Sequence, residues 1–96
     1  MSSAFVLYSE FEIHIPYSLS LKQKRQVVQR LRDRIKNQFN VSVAEVACQD
    51  EWQRAGMAIV MVGSSRKQLD SQLSALEIFV LDAVDAEVVW LSREWL

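Results

Sequence analysis

Residues 4–15, AFVLYSEFEIHI, alternate with a period of two. Phe5, Leu7, Phe11, Ile13 and Ile15 share one face, broken only by Ser9, while Val6, Tyr8, Glu10, Glu12 and His14 share the other. Successive side chains of a strand point to opposite faces, so a single apolar face predicts a half-buried strand. Pro16 ends it, because proline has no N–H to give to a ladder.

The period then changes. SLKQ, residues 20–23, has the form of a capping box with Ser20 as N-cap and Gln23 three residues on. Leu21, Val28, Leu31, Ile35 and Phe39 follow on one stripe, with Val27 at its border, which predicts a helix over 21–38. VSVAEVAC, residues 41–48, is rich in β-branched residues and reads as a strand. AGMAIVMVG, residues 55–63, is apolar on both faces, as a central strand is. Ser65 and Gln68 repeat the helix-start chemistry, ahead of a stripe of Leu69, Leu73, Leu76, Val80 and Ala83. AEVVWL, residues 86–91, is a closing strand. The order β-α-β-β-α-β, with right-handed crossovers, predicts an α+β ferredoxin-like sandwich: a four-stranded antiparallel sheet with both helices on one face.

Ninety-six residues suit one domain with one core, expected over residues 1–96. The single cysteine, Cys48, excludes an intramolecular disulfide framework and a cysteine-based zinc cluster. No apolar run approaches the roughly 18 residues of a membrane span, and no charged start leads into an apolar stretch. A cytoplasmic protein is therefore expected. The net charge of −1 conceals an asymmetry: residues 20–38 carry +6 and residues 69–96 carry −5.

The catalytic inventory is thin. His14 is the only histidine, at the far end of the first strand, and no local motif links it to Cys48, which reads as a small buried residue. Glu10, Glu12 and His14 recur at i, i+2 and i+4 on one strand face. Side chains there can lean together on a metal, or simply form a solvated polar face, and no second element adds a ligand. Gly56 and Gly63 form no phosphate-cradling loop. The turn IPYSLSLK lacks the glycine of an acylphosphatase anion loop, and the central strand lacks the aromatics with which RNA-recognition versions of this fold stack bases.

The first helix is the strongest functional feature. Lys22, Arg25, Gln29, Arg32 and Lys36 fall on one line at spacings of 3, 4, 3 and 4, with Arg30 and Arg34 across the helix. Such a surface can track phosphates, and the guanidinium fork donates to them bidentately. The alternatives are a solvated face whose long stems cover core edges and a surface for an acidic protein. Lys24 projects toward the apolar stripe between Leu21 and Val28. It is expected to snorkel to water, the alternative being a pair with a carboxylate of the sheet or the C-terminus.

SLKQKRQVVQRLRDRI, FNVSVAEV, QDEWQRA and the terminal REWL resemble, in order, the YlxP-like family of small bacterial domains of unknown function. The resemblance runs from about residue 5 to Leu96. It implies a ferredoxin-like fold and no established activity. Genes for such domains often stand beside those for translation initiation and ribosome maturation factors, which suggests by association a role near the ribosome. Relatives often carry an acidic residue just after AEV, where this chain has Ala47. QDEWQRA matches the family motif at Gln49, Asp50, Trp52, Gln53, Arg54 and Ala55, between the second and third strands. There Asp50 can start a turn, Trp52 can fold over the sheet and Arg54 can stack or pair; equally, Trp and Arg are interface residues.

The expected function is a non-enzymatic binding module, without cofactor, metal or small-molecule substrate. It would meet ribosomal RNA or a ribosome-assembly particle through Lys22, Arg25, Arg32 and Lys36, together with Lys24. The alternative is a protein-interaction or homodimer-forming domain that uses Gln49, Asp50, Trp52, Gln53, Arg54 and an open sheet face bearing Val6 and Tyr8. A third reading is a small metal-dependent or hydrolytic enzyme at Glu10, Glu12 and His14.

Overall fold

The computed structural model describes residues 3–96, so the first two residues of the expected domain lie outside the described residues. Six elements follow in the predicted order: β1 (Phe5–His14), α1 (Leu21–Gln38), β2 (Ser42–Ala47), β3 (Arg54–Gly63), α2 (Arg66–Ala83) and β4 (Glu87–Trp95). The sheet runs β2-β3-β1-β4 with every pairing antiparallel. This is the ferredoxin-like arrangement, an α+β sandwich. No helix among the described residues is long and apolar enough to cross a membrane.

The core lies where the two periodicities meet. Leu7, Phe11 and Ile13 on the inner face of β1, with Ile15 just beyond its end, are buried against Val28, Leu31 and Ile35 of α1 and Leu69, Leu73, Leu76 and Val80 of α2. Burying one such side chain stabilises the fold by about 1.5–3 kcal/mol, so the two stripes hold both helices to one side. Ser9, the polar exception in β1, is buried, and its hydroxyl donates to the Ser92 carbonyl at 2.8 Å. Beside it the β1–β4 register shifts between Glu10 and Phe11, where Leu91 of β4 is unmatched.

Both helix starts behave as their capping sequences predict. The Gln23 and Gln68 amides donate to the hydroxyls of Ser20 and Ser65 at 3.1 and 3.2 Å. The side chain of Gln23 reaches one residue past the cap, accepting from the Leu19 N–H.

The closing strand is longer than expected, running on to Trp95 rather than stopping at Leu91. Two contacts hold the extension. Arg93 pairs with Asp70 and Glu77 of α2, and Trp95 packs edge-on against Phe5 while Arg66 lies over both rings. A second register shift falls between Glu45 and Ala47 of β2. It leaves Val43 and Glu45 opposite Ile59 and Met57 of β3, and sets Ala47 opposite Gly56. A Cβ on Gly56 would lie 2.7 Å from the Ala47 Cβ, closer than two carbons pack, which explains glycine in this otherwise apolar strand.

Candidate functional site

Lys24 corrects the snorkelling expectation. Its side chain is fully buried and ends 2.9 Å from Glu45 Oε2. The ammonium also donates to the carbonyls of Cys48, Gln49 and Arg54 at 2.7, 3.0 and 3.3 Å. An ammonium has three N–H groups, so the carbonyls take its directed bonds and Glu45 supplies the compensating charge. Lys24 is thereby removed from the exposed basic line and becomes the post around which the β2–β3 connection folds. The signal for it is in the sequence. Lys24 sits in an apolar stripe, and Glu45 shares a strand face with Val43, so one inward cation and one inward anion require each other.

The connection around that post is tight. Cys48 adopts φ 61°, in the left-handed region that residues with a Cβ seldom enter. Its carbonyl accepts from both the Lys24 ammonium and the Glu51 N–H, the latter at 3.0 Å. The turn thus starts at Cys48 rather than at Asp50, which is exposed within it. Burial raises the pKa of the Cys48 thiol, and its hydrogen bond to Glu51 raises it further.

Gln53 fastens the connection to the end of β1. Its amide donates to the carbonyls of Pro16 and Ser18 at 3.0 and 3.1 Å, while its own carbonyl accepts from the Ile15 N–H at 2.8 Å. Arg54 pairs with Glu51 at 2.9 Å and approaches Glu12 at 3.7 Å. The Arg54 guanidinium holds the Glu51 carboxyl below its ordinary value, and Glu51 in turn raises the pKa of Arg54. Trp52 does not fold over the sheet. It stands 54% exposed on the wall of a cleft of about 940 Å³ at this end of the molecule. Tyr17 of the β1–α1 connection, Asp85 of the α2–β4 connection and Glu87 at the start of β4 line the same cleft. Sequence reading missed these three, because only the closed sheet brings the β1–α1, β2–β3 and α2–β4 connections together.

Glu10, Glu12 and His14 do not converge. His14 Nε2 and Glu12 Oε1 are 3.0 Å apart, whereas Glu10 bonds the Tyr8 hydroxyl, whose pKa that bond raises before burial adds to it. Among the described residues no three His, Cys, Asp or Glu side chains could hold a metal ion together.

On α1, Lys22, Arg25 and Lys36 are exposed and Arg32 is half-buried. None of them forms an ion pair among the described residues, nor do Arg30 and Arg34. The sole acid of the helix, Asp33, accepts instead from the Gln29 amide at 2.9 Å. Arg34 donates to the Ala83 carbonyl at 3.0 Å, a cation at the C-terminal end of α2.

The chain is 38% identical over 88 residues to the uncharacterized protein YlxP of Bacillus subtilis (strain 168), covering 92% of this chain and 96% of that one. Among solved structures it is similar to a C-terminal segment of the alpha subunit of aIF2 from Pyrococcus abyssi, with a TM-score of 0.60 at 19% identity. That match covers 96% of this chain but 52% of the archaeal one, so the chain spans about half its length. It is also similar to a de novo designed protein, Foldit4, with a TM-score of 0.57 at 9% identity, covering 98% of this chain and 97% of that one. Identities this low carry the fold alone. The model of a protein family of unknown function, DUF503, matches residues 6–93, and the chain belongs to that family.

Proposed function

We propose that this protein is a non-enzymatic, cytoplasmic RNA-binding module that takes phosphates on the exposed face of α1. The supporting observation is the sorting of its charges. Arg54, Arg93 and Lys24 are each matched to carboxylates, whereas the remaining cations of α1 are left without an acidic partner among the described residues, as are Arg66 and Lys67 of α2. Cations kept free in register along about four turns suit a polyanion, and Lys22, Arg25, Arg32 and Lys36 are the contacts we assign. The RNA we assign is ribosomal, alone or in an assembly particle, in keeping with the genes that neighbour YlxP-like domains.

The test is co-sedimentation with ribosomal subunits at low and moderate salt, beside a folded variant carrying Arg25→Glu, Arg32→Glu and Lys36→Glu. Salt-sensitive association lost in the variant supports the reading. Protein left at the top of the gradient in both conditions overturns it.

A second reading is favoured by the open face of the sheet. Val6 lies opposite Val62, which is 60% exposed, and Tyr8 opposite Val60, so an apolar strip faces solvent on the side without helices. A second copy of the chain covering that strip would double the mass in sedimentation equilibrium, and Val62→Glu would restore the monomer. A monomeric mass at all concentrations would remove this reading.

A further inference from the structure

The second half of the chain is acidic, but its acids are not equivalent. Arg93 pairs with both Asp70 and Glu77 on the face of α2. Asp85 and Glu87 have no cationic partner among the described residues, and both line the cleft at the end of the sheet. The last turn of α2 carries no basic residue of its own, and the cation at its end, Arg34 of α1, is bound to the Ala83 carbonyl rather than to either carboxylate.

With these carboxylates in the cleft are two aromatic side chains from unrelated connections. Tyr17 is 51% exposed and Trp52 54% exposed, and both line the same cleft. The basic side chains that line the cleft are already engaged: Arg54 by Glu51 and Glu12, and His14 by Glu12. Aromatic faces beside unpaired carboxylates attract cations, through the ring quadrupole and through charge-assisted hydrogen bonds. The same field repels phosphates, so this cleft and the α1 surface are suited to opposite charges.

We propose that the cleft lined by Tyr17, Trp52, Asp85 and Glu87 is a docking site for an arginine- or lysine-bearing segment of a partner protein. One cationic side chain enters between the two rings, and its charged head is held by Asp85 and Glu87. The clasp of Gln53 on Pro16 and Ser18 fixes the two aromatic connections relative to each other, so the site is formed before the ligand arrives. No residue of α1 lines this cleft, although Tyr17 and Asp85 also border a smaller cavity with Arg30 and Arg34, and the proposal stands whether or not α1 binds RNA.

The probe is an N-acetylated, C-amidated decapeptide of alternating glycine and arginine, followed by NMR through the indole N–H of Trp52. The expected result is a saturable shift of that resonance, with affinity in the micromolar to millimolar range of a single-anchor site. Asp85→Asn with Glu87→Gln, and separately Tyr17→Ala, should each weaken binding about tenfold. Arg25→Glu with Arg32→Glu should leave the affinity unchanged or raise it. A control needing no variant is the peptide with glutamate in place of arginine, which should not shift the indole. The proposal is overturned by an unmoved indole resonance, or by affinity that survives both cleft variants. It is equally overturned if the glutamate peptide binds as well, or if an oligouridylate RNA moves the indole in place of the arginine peptide.

Discussion

The Lys24 ammonium and the Glu45 carboxylate lie 2.9 Å apart between α1 and the edge strand β2, with Lys24 wholly removed from water. The pair joins an element of the helix layer to the sheet at the place where hydrophobic contact runs out. Removing one member of a buried pair strands the other, which costs about 3–5 kcal/mol. Lys24→Ala should therefore destabilise the protein by about 3 kcal/mol or more, and also free the carbonyls of Cys48, Gln49 and Arg54. For a chain of this size that lowers Tm by more than about 10 °C. Thermal melts of Lys24→Ala, Glu45→Ala and the double variant check it; strict additivity of the two losses would deny the coupling.

Gly56 and Ala47 make a second test of the hairpin. Gly56→Ala would bring a methyl group 2.7 Å from the Ala47 Cβ, forcing β2 away from β3. Overpacking of this kind costs about 1–3 kcal/mol. Adding Ala47→Gly removes the opposing methyl and should restore part of the loss in urea unfolding. No recovery would mean that the backbone of Ala47 rather than its methyl limits the approach.

On α1, affinity for RNA should fall steeply with salt. Each phosphate contact contributes a slope of roughly −0.7 to −0.9 in log K against log salt, so three or four contacts give about −2 to −4. Reversing Arg25 alone should flatten the slope by about one contact. A salt-independent affinity for oligoribonucleotides would contradict phosphate binding.

The pH dependence follows from two groups of the β2–β3 connection with opposite signs. Hydrogen bonding to Arg54, and then to Cys48, lowers the pKa of Glu51 in the folded state. Its stabilisation is full above the unfolded carboxyl value and is lost as pH falls through the lower folded one. Burial, and then Glu51, raises the pKa of Cys48, so the folded state keeps that proton longer and loses stability as pH climbs past the ordinary thiol value. Denaturant midpoints across pH should show both limbs, with Glu51→Gln flattening the acid one and Cys48→Ser the alkaline one. At neutral pH the thiol should alkylate more slowly than a free cysteine.

The element order was legible because two periodicities alternate along the chain, and both serine caps fall where the second begins. The end of β4 was not legible. Ser92–Trp95 shows no alternation of its own, and what makes it a strand is distant: Arg93 on α2, and Trp95 against Phe5 and Arg66. Lys24 is visible as an oddity in its stripe and Glu45 as an acid on the face of Val43, but their meeting depends on the pairing of β2 with β3, which sets Glu45 opposite Met57. Trp52 was singled out as a surface residue or a sheet cover. The cleft it lines is assembled from three connections, and no local pattern announces a meeting of that kind.

The inward carboxylate of Glu45 bears on how the sheet can grow. β2 is short, kinked by its register shift and carries a charge on its buried face, three devices that discourage a further strand from adding at that edge. β4 is longer and lies at the opposite edge. A sheet with only one receptive edge cannot polymerise by strand addition, because the first pairing of two copies uses up both receptive edges. Edge-to-edge association of this protein therefore terminates at two chains, and the fold is protected from fibre growth by the same ion pair that anchors its first helix.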